Sequence, residues 1–299
     1  EGGTVEVRAF GATGESLGTV QQGGLGDAPV FVGLEDDGPG FVKLLISYGA
    51  DEAPEQIDDL RVDFVDRPLF RTFLSQIGDG PLPGGSLRTT VIVSNLSGST
   101  AEGVLEFFDS SGNPLSLDFE GGALSSLPLA LPPVSSVSLS TLGTSDPVGV
   151  GYARIRSNVP VEGTAIFRVV SEAGVVQSEA GVGSVEGTVE AVGAVQKQVA
   201  LEFDSGIAVV NTGNRDAQGV IEAYDSSGKL VATNAGFLSQ DFGPGQHKAA
   251  FLPQIFGELQ GRDLDGTIKV VSNVPVAVVI LRTSAGQVLS SLPVGSTEE

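Results

Sequence analysis

Two pairs of adjacent carboxylates, Asp36-Asp37 and Asp58-Asp59, are the residues whose type and spacing best suit an ion. Calcium takes about six to eight oxygen ligands, often loop carboxylates and carbonyls, and paired Asp on loops beside a sheet offers that donor set. Neither EF-hand spacing nor a glycine–aspartate nonapeptide repeat accompanies them, so the competing reading is plain solvated loop acid. Calcium is the one cofactor the sequence suggests, and none is required.

Hydrolytic chemistry has little to draw on. A Ser–His–carboxylate triad would have to use His247, the single histidine, which enters a strand from the loop Gly243-Pro244-Gly245-Gln246. No Gly-x-Ser-x-Gly elbow lies nearby, and the first copy of the repeat described below has Ser136 or Val137 at that place, so His247 is expected at the surface. Paired carboxylates of the glycosidase kind are conceivable among 37 acids. A sugar cleft, however, wants aromatic platforms. Trp is absent and Tyr48, Tyr152 and Tyr224 are the only tyrosines, with Tyr152 and Tyr224 reading as strand packing. No catalytic residue is assigned. Asn95-Leu96-Ser97 is a formal N-glycosylation sequon.

The bulk composition narrows the partners. A net charge of −21 on 299 residues repels nucleic-acid backbones and anionic membrane surfaces. The glycines fall at turns and not between a strand and a helix, so there is no nucleotide-binding loop. No apolar run is long enough to span a bilayer, and no membrane insertion is expected of this chain. Cys is absent, which removes disulfides, thiolate nucleophiles and Cys-based zinc sites; Met is absent too, which leaves few oxidisable sulfurs and suits an exposed extracellular setting. The first residue is Glu, so a processed or truncated start is expected.

Gly at 42 and Pro at 16 punctuate short Val-rich segments, the pattern of all-β domains. In the first 66 residues strands are expected over 4–10, 16–20, 29–34, 41–48 and 57–64. This succession, with Phe31-Val32-Gly33-Leu34, Ile46-Ser47-Tyr48 and Ile57-Asp58-Asp59-Leu60, resembles the C-terminal half of jelly-roll domains in bacterial exported surface proteins. Such a domain normally has a front half as well. The resemblance therefore implies either truncation or completion by a strand donated from another chain.

The remaining sequence is duplicated. Ser157-Asn158-Val159-Pro160-Val161 recurs as Ser272-Asn273-Val274-Pro275-Val276, and Gly103-Val104-Leu105-Glu106-Phe107-Phe108-Asp109-Ser110-Ser111-Gly112 is answered by residues 219–228. Each Ser-Asn-Val-Pro-Val reads as a tight turn between strands, with Asn in the left-handed conformation. Gly78 to Gly85 reads as a loop that cannot be regular structure. Strands are expected over 69–77, 87–95, 103–108, 124–130, 135–141, 148–157 and 162–170, with their counterparts in the second copy. Leu252, Ile255, Phe256 and Leu259 have helical spacing, giving one short helix near 252–259.

The duplicated part resembles a tandem Ig-like module of large secreted bacterial proteins, through Val93-Ser94-Asn95, Phe107-Phe108-Asp109-Ser110-Ser111-Gly112, Gly151-Tyr152-Ala153-Arg154-Ile155 and Val175-Val176-Gln177-Ser178-Glu179-Ala180-Gly181-Val182. The expected architecture is all-β: a partial jelly-roll-like domain over 1–66, then tandem antiparallel β-sandwiches (Ig-like) over 67–190 and 191–299. The expected role is a non-enzymatic structural protein of the bacterial cell surface or exterior, self-associating into a fibre homopolymer, with strand donation as one joining mode. The alternative is a glycan- or calcium-dependent adhesion module of a larger secreted protein.

Overall fold

The structure is a computed structural model that describes residues 3–10, 16–25, 43–48, 70–239, 241–284 and 287–296. The fold is all-β and antiparallel. Residues Glu1–Asp66 and Arg67–Glu299 form separate compact units. In the first, β1 (Gly3–Phe10), β2 (Ser16–Leu25) and β3 (Lys43–Tyr48) make a sheet of order β2-β1-β3. The strands expected over 29–34 and 57–64 lie outside the described residues, as do Asp36, Asp37, Asp58 and Asp59.

The second unit holds both copies. The first copy runs through β4 (Phe70–Leu82), β5 (Gly85–Asn95), β6 (Ala101–Asp109), β7 (Leu117–Phe119), β8 (Gly122–Leu124), β9 (Ser126–Leu131), β10 (Ser135–Ser140), β11 (Gly149–Ser157), β12 (Val161–Ser171) and β13 (Val176–Gly183). One ladder has the order β9-β6-β11-β4 and the other β10-β5-β12-β13. Alternation along the strands turns Leu74, Ile77, Val91, Val93, Leu105, Phe107, Ile155 and Phe167 into one apolar core fed by both ladders. This arrangement is compatible with a β-sandwich.

The second copy repeats the plan with β14 (Thr188–Lys197), β15 (Phe203–Asn211), β16 (Gly219–Asp225), β17 (Leu230–Asn234), β18 (His247–Phe251), α1 (Leu252–Ile255), β19 (Leu264–Ser284), β20 (Gln287–Leu292) and β21 (Val294–Ser296). Its ladders are β17-β16-β19-β14-β21 and β18-β15-β19-β20, with β19 serving both. A 3-10 turn, Gly257–Leu259, follows α1, and together they bury Leu252, Ile255, Phe256 and Leu259 in the second core.

Two sequence expectations are corrected here. The stretch from Gly78 to Leu82 is strand, because β4 changes partner at this point: Asp79 still pairs with Gly149 of β11, and Gly80 already pairs with Leu87 of β5. Asp79 is buried within it, accepting from Gly143 N at 2.6 Å and from Ser145 Oγ at 2.6 Å. Only Pro83-Gly84 remains as the turn.

The repeated Ser-Asn-Val-Pro-Val is likewise a corner and not a hairpin turn. Before it, β11 pairs with β6 and β4; after it, β12 pairs with β5 and β13, so the chain changes ladder at the motif. In the second copy β19 makes the same change without a break. Neither Asn has a positive φ. Each is instead chosen for its side chain. Glu102 N donates to Asn158 Oδ1 at 2.8 Å while Asn158 N donates to Glu102 O at 3.0 Å, and Gln218 and Asn273 make the same pair of bonds at 2.7 and 2.9 Å. The Asn amide thus replaces a ladder partner where the strand leaves its sheet. Pro160 and Pro275, which have no N–H to donate, follow where none is needed.

Candidate functional site

The two copies meet over a buried face. Phe73 of β4, Phe108 at the end of β6 and Tyr152 of β11 stand on the outer side of one ladder of the first copy, and Val210 of β15 and Ala277 of β19 pack against them. The two tyrosines expected in strands differ in setting. Tyr152 is 2% exposed and stacks on Phe108 with ring centroids 5.1 Å apart, whereas Tyr224 is half-buried and donates to Glu222. Arg154 lies over the Phe108 ring, 4.9 Å from its centroid, and is held with Arg156 against Glu106 at 3.0 Å each. Burial pushes the Glu106 carboxyl up, but the bonds and charges of the two arginines outweigh it and hold it below its ordinary value.

His247 sits at this joint, and the expectation that it is exposed is overturned: it is 3% exposed. Its backbone N donates to Ser110 O at 3.0 Å. Gln76 Oε1 lies 3.1 Å from Nε2 and Ser110 Oγ 3.2 Å from Nδ1. An amide oxygen only accepts, so Nε2 carries the proton and the serine hydroxyl donates to Nδ1. Burial pushes the imidazole down to about 4, a bond to the Ser75 backbone offsetting part of the shift. The same burial pushes the Tyr152 phenol up to about 12. The docking is close: a Cβ placed on Gly112 would lie 2.8 Å from Gly245 O.

Chemically, Ser110 and His247 have the contact of a nucleophile with its base. The third member of a triad would be a carboxylate, and Gln76 occupies that place. An imidazole held near 4 takes up little proton at neutral pH, which makes it a weak general base. What the three side chains do is bind one copy to the other.

Beside the joint lies a cleft of about 270 Å3, mostly apolar, lined by Leu87 and Phe167 of the first copy and Ala208, Phe251 and Leu281 of the second, with Gln76 also in its lining. No group of three or more His, Cys, Asp or Glu side chains that could hold a metal ion occurs among the described residues. The candidate calcium ligands Asp36, Asp37, Asp58 and Asp59 are not among those residues. The sequon at Asn95 is a structural device: the side chain is fully buried, and Nδ2 donates to Ser99 O, Leu131 O and Pro132 O at 2.8–3.0 Å. Asn211 repeats the role, donating to Arg215 O and Phe242 O.

Sequence reasoning passed over Gln76, Ser110 and Phe73. The signal was in the differences between the copies. Strand register equates Val210 with Ser94, Ala277 with Glu162 and His247 with Ser136, and on the opposing face Phe73 with Val192 and Tyr152 with Thr267. Each member at the joint is the more buried of its pair. Compared with family models, with curated proteins and with solved structures, the chain matches none.

Proposed function

We propose that this chain is a non-enzymatic structural protein of the cell exterior: a cell-surface or self-assembling fibre subunit built of Ig-like β-sandwiches. One observation carries the reading. The two copies are fastened by a face on which Val210, Ala277 and His247 stand where the other copy has Ser94, Glu162 and Ser136. A fixed joint between modules suits a subunit that transmits position or load. Three polar pairs shared by both copies, Asn95 and Asn211, Asp109 and Asp225, Asn158 and Asn273, bond to backbone groups, so at these positions the duplication has kept scaffold. The lack of Cys and Met suits an oxidising exterior. The bacterial surface setting and joining by strand donation follow from the family resemblances of the sequence.

Electron micrographs of native material test the reading. Ordered filaments, shortened by excess peptide covering residues 1–10, are the expected result under donation by that segment. Monodisperse particles at every concentration, together with heat released on titrating calcium or with glycan-array binding, would replace it with an adhesion module.

A further inference from the structure

We propose that β10 is the edge at which a second copy of this chain adds, strand to strand; the proposal rests on the self-assembly reading and names its site. A net charge of −21 sets copies against one another, so association needs a surface without charge. From Gly121 to Ser145 there is no charged residue, and this stretch forms, after the three-residue β8, the two longer strands β9 and β10. Each pairs on one side only within the described residues, β9 with β6 and β10 with β5.

An open edge adds further strands unless it is short, bulged, charged or interrupted by Pro. Among the described edges of the second unit, β9 carries Pro128, β13 carries Glu179 and a register shift, β17 and β20 have shifts in their pairing, and β21 has three residues. In the second copy the strand equivalent to β10 is β18. There Lys248 donates to Phe237 O, lies over the Phe242 ring, and the strand runs directly into α1. β10 has none of these guards. Its register is unbroken from Ser135 opposite Asn95 to Ser140 opposite Thr90. Among the described residues its far end is met by β7, where Phe119 bridges Thr141 and Leu142 N donates to Asp118 O. Exposed apolar side chains flank it, Leu96 (68%) and Val134 (81%) at one end and Leu142 (41%) at the other.

Antiparallel pairing about a twofold axis, with Ser138 opposite its own copy, sets Val137 against Leu139 on the core side and leaves the serines outward. The contact is isologous, so it makes pairs, and a fibre grows from such pairs through a second contact.

Sedimentation velocity on the full chain over a concentration series tests this. Ser138 is exposed, and Ser138→Lys is expected to keep the melting curve while weakening self-association by about tenfold or more. Ser138→Cys would supply the only thiol in the chain, and it is expected to form a disulfide-linked dimer under mild oxidation faster than Val175→Cys at the exposed β12–β13 hairpin. Should the Lys variant fail to fold, the cross-linking comparison decides. Self-association that Ser138→Lys leaves unchanged, or equal cross-linking at both positions, overturns the edge assignment while the assembly reading stands. A wild-type chain that stays monomeric throughout, with no disulfide-linked dimer of the Ser138→Cys variant, overturns both.

Discussion

Val134 and Gly245 stand at the same position in the two copies, one residue before the first ladder residue of β10 and two before that of β18, and both are left-handed, with φ of 57° and 73°. Glycine adopts this conformation freely, whereas a β-branched residue is strained there. Val134 is 81% exposed and gains little from burial. Val134→Gly is therefore expected to stabilise the chain by about 1 kcal/mol, the strain relief exceeding the entropy that glycine adds to the unfolded state. The reverse change, Gly245→Val, is expected to destabilise by about 2 kcal/mol or more, since a Cβ at 245 also lies 3.3 Å from Tyr152 Oη. Urea unfolding midpoints of the two variants check both signs.

His247 should make stability depend on acid. Its folded-state value, about 4, lies below its ordinary 6.5, so the unfolded chain takes the proton first as pH falls. The folded state is fully favoured above pH 6.5, and the loss builds up between 6.5 and about 4, reaching on the order of 3 kcal/mol. The difference in unfolding free energy between wild type and His247→Gln isolates this group from the carboxylates. It should shrink by about that amount as the pH is lowered across the window. A difference that stays constant with pH would remove His247 as the cause.

The buried amide of Asn95 predicts two outcomes. Asn95→Ala removes the bonds to the Leu131 and Pro132 carbonyls and from the Ser97 N–H, leaving Pro132 O only its bond from Ser135 Oγ, and is expected to cost about 3 kcal/mol. In a glycosylating host, intact-mass measurement should find folded chain unmodified at this sequon, because Nδ2 is fully engaged.

At the joint, exchanging residues between the copies should give opposite results from the same pair of side chains. Ala277→Glu installs the residue that the first copy carries at the equivalent position, but in a site with no exposure, and is expected to cost on the order of 3 kcal/mol. Glu162→Ala, on a solvent-facing position, should change stability by less than about 0.5 kcal/mol. Thermal unfolding of the two single variants separates the joint from the free face.

Much of the fold was legible because strands obey a period of two and turns use few residue types. Asp109 and Asp225 cap their turns through Oδ1, accepting from Ser111 and Ser227 N, as the Asp-Ser-Ser-Gly sequence implies. What failed was long-range. Nothing local in Gly78 to Leu82 announces that β11 and β5 lie on either side, and nothing local in Ser-Asn-Val-Pro-Val distinguishes a hairpin from a change of sheet. His247 was misjudged for the same cause: its neighbours suit a surface loop, and its burial comes from Gln76 and Ser110, far away in sequence. The candidate site was thus legible only as a set of differences between copies.

The joint is also single-use. In a solenoid every repeat offers its successor the face it received from its predecessor, so copies can be inserted without limit. Here the outward-facing counterparts of the joint are Ser94, Glu162 and Ser136 at one side and Thr267 with the Lys269–Glu190 ion pair at the other. A third copy would find neither surface prepared for it. The joint as built serves one pair of copies, and a further copy would require new contacts at its own boundary.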